Sequence, residues 1–158
     1  KFIYNKKYNE ANNISSAYLV RDKFSNSYVL ESDLYLYNQD LIRKYEYHSN
    51  FLGFKVDRTD DWCLETKNGI ITKEKVGGLD CYQMCGISYY DKETGKQMEK
   101  DIKEVFMSPG GKERYWEQVM LDIRKNNYKI YLRECKSEDI IEIDTFNELK
   151  AIDKTYDV

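Results

Sequence analysis

At 158 residues the chain has room for one domain with a sizeable core and not comfortably for two. With 41% hydrophobic and 34% charged residues it reads as a soluble globular protein, and its net charge of −3 argues against a general nucleic-acid or anionic-membrane binder, which needs a basic surface. No apolar run approaches the roughly 20 residues of a membrane span, and no signal peptide is recognisable, although the chain begins at Lys1 rather than Met. These features predict a cytoplasmic protein with neither a membrane nor a nucleic-acid partner.

In chain order, residues 1–4 read as the tail of a strand. Asn12 or Asn13 is a natural N-cap for a helix carrying Ile14, Ala17, Tyr18 and Val20 towards the core. Residues 28–30 are a short β-prone run that stops at Glu31 and Asp33. Residues 41–47 predict a short helix, and residues 51–56 a mostly apolar, central strand. Trp62, Leu64 and Thr66 then alternate on one face up to Asn68-Gly69, a type I′ turn signal, and Ile70-Ile71-Thr72 returns as the second arm of a hairpin. A second hairpin is expected across Gly77-Gly78, leading into a strand over residues 81–90.

Asp91 can cap a helix that ends before Pro109, the only proline. Pro109-Gly110-Gly111-Lys112 lacks the spacing and trailing Lys-Ser/Thr of a phosphate loop and reads as a turn. Tyr115, Trp116, Val119, Met120 and Ile123 form an amphipathic helical stripe. Residues 129–133 and 139–143 are strands, and Thr145-Phe146-Asn147-Glu148 is a capping box that opens a last helix with Phe146, Leu149 and Ile152 inward. With no linker or repeat, the class is α/β in a single domain over residues 1–158. The four cysteines, Cys63, Cys81, Cys85 and Cys135, read as reduced core thiols, because Cys81-x-x-x-Cys85 has no zinc-knuckle spacing and His48 is the only histidine.

Two groups of residues carry chemistry. Asp33 follows the run 28–30, and Asp144 follows Ile140-Ile141-Glu142-Ile143 directly before the N-cap Thr145. Acidic residues at strand carboxyl ends are where an α/β sheet holds ligands, and two such aspartates can share one Mg²⁺. Each can equally start a turn or cap a helix, and spacing alone does not bring them together. Trp62, Tyr89, Tyr90, Tyr115 and Trp116 stand beside Asp61, Asp91 and Glu117. Such a set is either core and surface aromatics or the lining of a site for a quaternary ammonium.

The order of segments Tyr4-Asn5-Lys6-Lys7-Tyr8, Asn12-Asn13, Ser16-Ala17-Tyr18-Leu19-Val20, Ser27-Tyr28-Val29-Leu30-Glu31-Ser32-Asp33, Gly86-Ile87-Ser88-Tyr89-Tyr90-Asp91, Tyr115-Trp116-Glu117 and Glu142-Ile143-Asp144-Thr145 resembles bacterial CTP:phosphocholine cytidylyltransferases, of the sugar-nucleotidyltransferase-like superfamily. The resemblance covers nearly the whole chain. It implies a three-layer nucleotidyltransferase-like fold with a mixed β-sheet, CMP transfer from CTP to phosphocholine, and Mg²⁺ on the catalytic and metal aspartates Asp33 and Asp144. It further implies that Trp62, Tyr115 and Trp116 surround the choline group, with Tyr89 and Tyr90 lining the same pocket.

Glu117 or Asp61 would supply the hydrogen-bond acceptors that a primary ammonium demands. The family's first strand and Gly-rich phosphate loop ending in Arg have no counterpart here, nor does its Pro-Lys segment. The expectation is therefore the C-terminal portion of such a domain, inactive alone. Leu34 stands where the family often has Asn. A cytidylyltransferase for 2-aminoethylphosphonate or phosphoethanolamine, and a non-catalytic amine-binding module, stay open as alternatives; so does a homodimer.

Overall fold

The strongest turn signal, Asn68-Gly69, forms the tip of the hairpin that organises the fold. Both residues have positive φ, 53° and 75°, as a type I′ turn requires. The computed structural model describes residues 1–157, and its two longest strands, β3 (Asn50–Lys67) and β4 (Ile70–Tyr90), are the arms of this hairpin. They are too long to stay flat. The ladder shifts register between Thr59 and Trp62, and Cys63 and Leu64 pair on one side with Lys75 and Glu74 and on the other with Gln83 and Tyr82. The chain does turn at Gly77 (φ 73°). The strand that follows pairs with 54–56 and 63–64 instead of returning along 70–76, so the expected second hairpin is replaced by a fold-back of the whole ladder.

β1 (Ser27–Leu30) adds antiparallel to β4, and β5 (Tyr131–Glu134) adds parallel to β3, giving a mixed sheet in the order β1-β4-β3-β5. β2 (Leu34–Leu36) and β6 (Ile140–Glu142) form a separate antiparallel ribbon. Alternation along β3 sends Phe51 to one face and Leu52 to the other, and each face has its own core. On the first, α1 (Ile14–Val20), α2 (Lys92–Met107) and a π turn at Val119–Ile123 bury Ile14, Met98, Ile102 and Val119. On the second, the β2–β6 ribbon buries Ile140 against Leu52, Cys85, Ile87 and Cys135. All four cysteines are buried free thiols.

Local signals were reliable where a side chain caps a helix. Asp91 accepts the Thr94 N–H at 2.8 Å and starts α2, which runs to Met107 and so ends before Pro109. Thr145 and Glu148 form the capping box of α3 (Phe146–Ile152). Pro109-Gly110 is a turn, with Gly110 at φ 72°. Other expectations are corrected. Residues 1–4 are exposed and form no strand, and Phe146 is exposed, packing edge-on against Tyr156 rather than the core.

Residues 42–47 form no helix; only Gln39–Leu41 makes a helical turn. The segment is tied down by Arg133 instead, which donates to Glu46, to the Leu41 carbonyl and to the Tyr28 hydroxyl. The side chains of Arg133 and Glu46 are only 11% and 5% exposed, so removing one strands the other. Arg133→Met should therefore cost roughly 3 kcal/mol in urea unfolding.

Candidate active site

The carboxyl end of β1 and the β2–β6 ribbon meet beside the sheet. Glu31 donates its backbone N–H to the Gly86 carbonyl at 3.1 Å, and Ile143 donates to the Asp33 carbonyl at 2.9 Å. Gly86 has φ 62°, and a Cβ there would come within 2.4 Å of the Glu31 carboxylate, so only glycine leaves that carboxylate its place. The result brings Glu31, Asp33 and Glu142 together, with one carboxylate oxygen from each within 4.8 Å of the others. Asp144 lies one residue beyond Ile143, its backbone N–H held by Glu148 at 2.9 Å.

The electrostatics show how closely these charges are gathered. Burial pushes Glu31 up to about 7, with the charges of Glu117, Asp33 and Asp61 adding to it. Glu142 is likewise pushed up to about 7, by burial first and then by Asp144, Glu31, Asp33 and Asp61. Asp33 belongs to the carboxylate group with Glu31 and Glu142, whereas Asp144 lies outside it and acts on Glu142 only through its charge. The donors are all hard carboxylate oxygens, which suits an oxygen-seeking divalent cation and not a thiolate- or imidazole-seeking one.

Glu31, Asp33 and Glu142, but not Asp144, line a cleft of about 610 Å³, a volume typical of small-molecule sites. Its walls carry Trp62, Tyr115 and Trp116 together with Asp61 and Glu117. The register shift in β3 sets the first pair. Asp61 accepts the Trp62 N–H at 2.6 Å and the Gln83 amide at 3.2 Å, while Thr59 accepts the Asp61 N–H at 3.0 Å. Trp62 meets Tyr115 edge to face at 5.3 Å between centroids. Asn13 occupies the N-cap position of α1 but spends its side chain elsewhere, accepting the Trp116 N–H at 2.9 Å. That bond fixes Trp116 and Glu117 against the cleft. Glu117 is 3% exposed, and its Oε2 has no hydrogen-bond partner. Five carboxylates line the cleft (Glu31, Asp33, Asp61, Glu117 and Glu142), and among the described residues no Lys or Arg does.

The two tyrosines expected in the pocket are elsewhere. Tyr90 is fully buried behind Trp116 and Phe24, with ring centroids 6.1 and 5.9 Å away. Tyr89, on the opposite face of β4, packs tilted against Tyr28, with ring centroids 5.2 Å apart. Adjacent strand positions face opposite ways, so the pair cannot line one pocket. Neither Glu31, noted in the sequence only as the end of the run 28–30, nor Glu142 was singled out there as a candidate metal ligand. The available signal was their position, one at a strand's carboxyl end and the other two residues before Asp144.

A mixed sheet covered by helices on one face and by a strand ribbon on the other is the mixed α/β arrangement seen in nucleotidyltransferase structures. The chain superposes on the solved CTP:phosphocholine cytidylyltransferase of Streptococcus pneumoniae with a TM-score of 0.84 at 24% identity, over 97% of this chain and 67% of that one. No protein-family model matches the chain. In sequence it is homologous to bacterial choline-phosphate cytidylyltransferases: it is 26% identical to that of Streptococcus pneumoniae over 98% of its own length and 67% of the relative's. It is also 27% identical to the 2-aminoethylphosphonate cytidylyltransferase of Lancefieldella rimae, covering 96% of this chain and 63% of that protein. The chain therefore spans about two thirds of the length of these relatives. No helix among the described residues is long and apolar enough to cross a membrane.

Proposed function

We propose that this chain forms the acceptor- and metal-binding part of a cytidylyltransferase that moves CMP from CTP to phosphocholine. The observation that carries this reading is the cleft lined by five carboxylates and no basic residue, with an aromatic wall. A bare nucleotide or phosphate would be repelled there, whereas a cationic headgroup, or a phosphate accompanied by a divalent cation, would not.

In the reaction an oxygen of the acceptor phosphate forms a bond to the α-phosphorus of CTP, and the bond from that phosphorus to the β-phosphate oxygen breaks, releasing pyrophosphate. The acceptor needs no general base, because a phosphate monoester with a second pKa near 6 is already mostly dianionic at neutral pH. The protein positions the reactants. Trp62 and Tyr115, with Trp116 behind them, would hold the trimethylammonium by its attraction to ring faces, about 0.5–2 kcal/mol per ring. Asp33 and Asp144, with Glu31 and Glu142 beside them, would hold Mg²⁺, which supplies charge neutralisation and alignment for an in-line displacement. Without it these carboxylates would oppose the incoming phosphate.

A second reading has a specific observation behind it. The unpartnered Oε2 of Glu117 and the carboxylate of Asp61 offer the acceptors that a primary ammonium requires. 2-Aminoethylphosphonate and phosphoethanolamine are therefore the competing acceptors. The test is pyrophosphate release by the full gene product containing this chain, given CTP and Mg²⁺ with each of the three acceptors. Rapid release with phosphocholine is the expected result, a primary amine in its place would select the second reading, and no release with any acceptor would overturn both.

The metal part can be tested without turnover. Mg²⁺ at about tenfold excess over its dissociation constant should raise the melting temperature by about 4 °C. NaCl at matched ionic strength, or Mg²⁺ added to Asp33→Asn, should not.

A further inference from the structure

The bend in β3 that carries Asp61 and Trp62 into the cleft wall is held by a residue outside the cleft. Between the pairs Thr59–Gly78 and Trp62–Val76, two residues of β3 stand opposite Gly77 alone, a β-bulge. Asp60 and Asp61 therefore have no ladder partners on β4, and side chains take over the work of holding the segment. Two of the bonds are local. Thr59 Oγ1 accepts the Asp61 N–H at 3.0 Å, and Asp61 Oδ1 accepts the Trp62 N–H at 2.6 Å. The other two involve Gln83, on the returning arm of β4. The Thr59 hydroxyl donates to Gln83 Oε1 at 2.9 Å, and Gln83 Nε2 donates to Asp61 Oδ2 at 3.2 Å. The four bonds close a ring. Its partners dictate how the Gln83 amide lies, because the opposite orientation would set its carbonyl against the Asp61 carboxylate and leave the Thr59 proton without an acceptor.

We propose that Gln83 is a positioning residue that biases the cleft towards a quaternary over a primary ammonium. Asp61 and Trp62 line the cleft, whereas Thr59 and Gln83 do not, so Gln83 acts through the first pair. Its bond to Asp61 does two things. It anchors the bulge across strands, and the Asp61 Oδ1 bond passes that anchor on to Trp62, whose ring meets Tyr115 at 5.3 Å. It also occupies Asp61 Oδ2, so both oxygens of that carboxylate already have a donor. Such a carboxylate keeps its charge and still attracts a cation, but it offers fewer free lone pairs. A trimethylammonium has no N–H and loses nothing by this, since it needs charge and fixed ring faces. A primary ammonium brings three N–H donors and is the poorer match. This inference rests on the amine-acceptor reading above.

The experiment measures phosphocholine and phosphoethanolamine binding by calorimetry with Mg²⁺ present, for the wild type, Gln83→Leu, Gln83→Glu and Thr59→Val in the full gene product. Gln83→Leu should weaken phosphocholine about tenfold and leave phosphoethanolamine within about threefold of wild type, the scale of one hydrogen bond to a charged group. Gln83→Glu has the same shape and still accepts from Thr59, yet its carboxylate cannot donate to Asp61, so it should behave as Gln83→Leu. A merely structural role would leave that isosteric variant with the wild-type preference. Thr59→Val removes the hydroxyl that orients the amide and should narrow the preference equally. Combined with Gln83→Leu it should add nothing, because the two belong to one network. An unchanged preference in Gln83→Leu, or in Gln83→Glu, would overturn the role of Gln83 while leaving the amine site intact. Failure of the wild type to bind either compound would overturn the amine site itself, and this role with it. Should Gln83→Leu not fold, Gln83→Glu decides alone by the same criterion.

Discussion

Asp33→Ala and Asp144→Ala are each expected to lower kcat for nucleotidyl transfer at least about a hundredfold, the scale on which one group that stabilises transition-state charge acts. Neither should change the fold. Both side chains are exposed, and among the described residues neither makes a side-chain hydrogen bond or an ion pair. What they share is their position: the β2–β6 ribbon sets the Asp33 carbonyl against the Ile143 N–H, one residue before Asp144. Melting temperatures within a few degrees of wild type would separate this from unfolding. Wild-type turnover in both variants would remove the acidic cluster from the reaction.

Trp62→Ala should act on the other substrate, raising KM for the amine acceptor about tenfold with little change in kcat. One ring face on a desolvated cation contributes up to about 2 kcal/mol, and 1.4 kcal/mol is a factor of ten. Its edge-to-face contact with Tyr115 makes the loss larger than one ring, because Tyr115 is 37% exposed and loses its neighbour. Tyr89→Phe is the control, since Tyr89 faces away from the cleft, and should leave KM unchanged. An equal effect of the two substitutions would mean that Trp62 does not touch the acceptor.

Much of the fold was legible where one or two residues decide the local structure. Asn68-Gly69 dictates a turn because both positions need positive φ, and the caps at Asp91 and Thr145 satisfy backbone donors that would otherwise be orphaned. The segment 42–47 was misread because its conformation depends on Arg133, nearly ninety residues away. The site divided in the same way. Asp33, Asp144, Trp62, Tyr115, Trp116 and Glu117 stood out by residue type and position. The gathering of Glu31 with Glu142 depends on the antiparallel pairing of β2 and β6, which no local pattern reveals. Tyr89 and Tyr90 are a different lesson, since the two-residue period of a strand already forbids both from facing one pocket.

The register shift at Thr59–Trp62 also bears on how such a protein could change its acceptor. The ladder pairs on either side are Thr59 with Gly78 and Trp62 with Val76, and Asp60 and Asp61 between them pair with no residue of β4. Lengthening or shortening the chain by one residue here would swing Asp61 and Trp62 relative to Tyr115 while leaving the strands that carry the acidic residues in register. Insertion or deletion at this bend, rather than substitution in the pocket wall, is thus an economical evolutionary route from one headgroup to another.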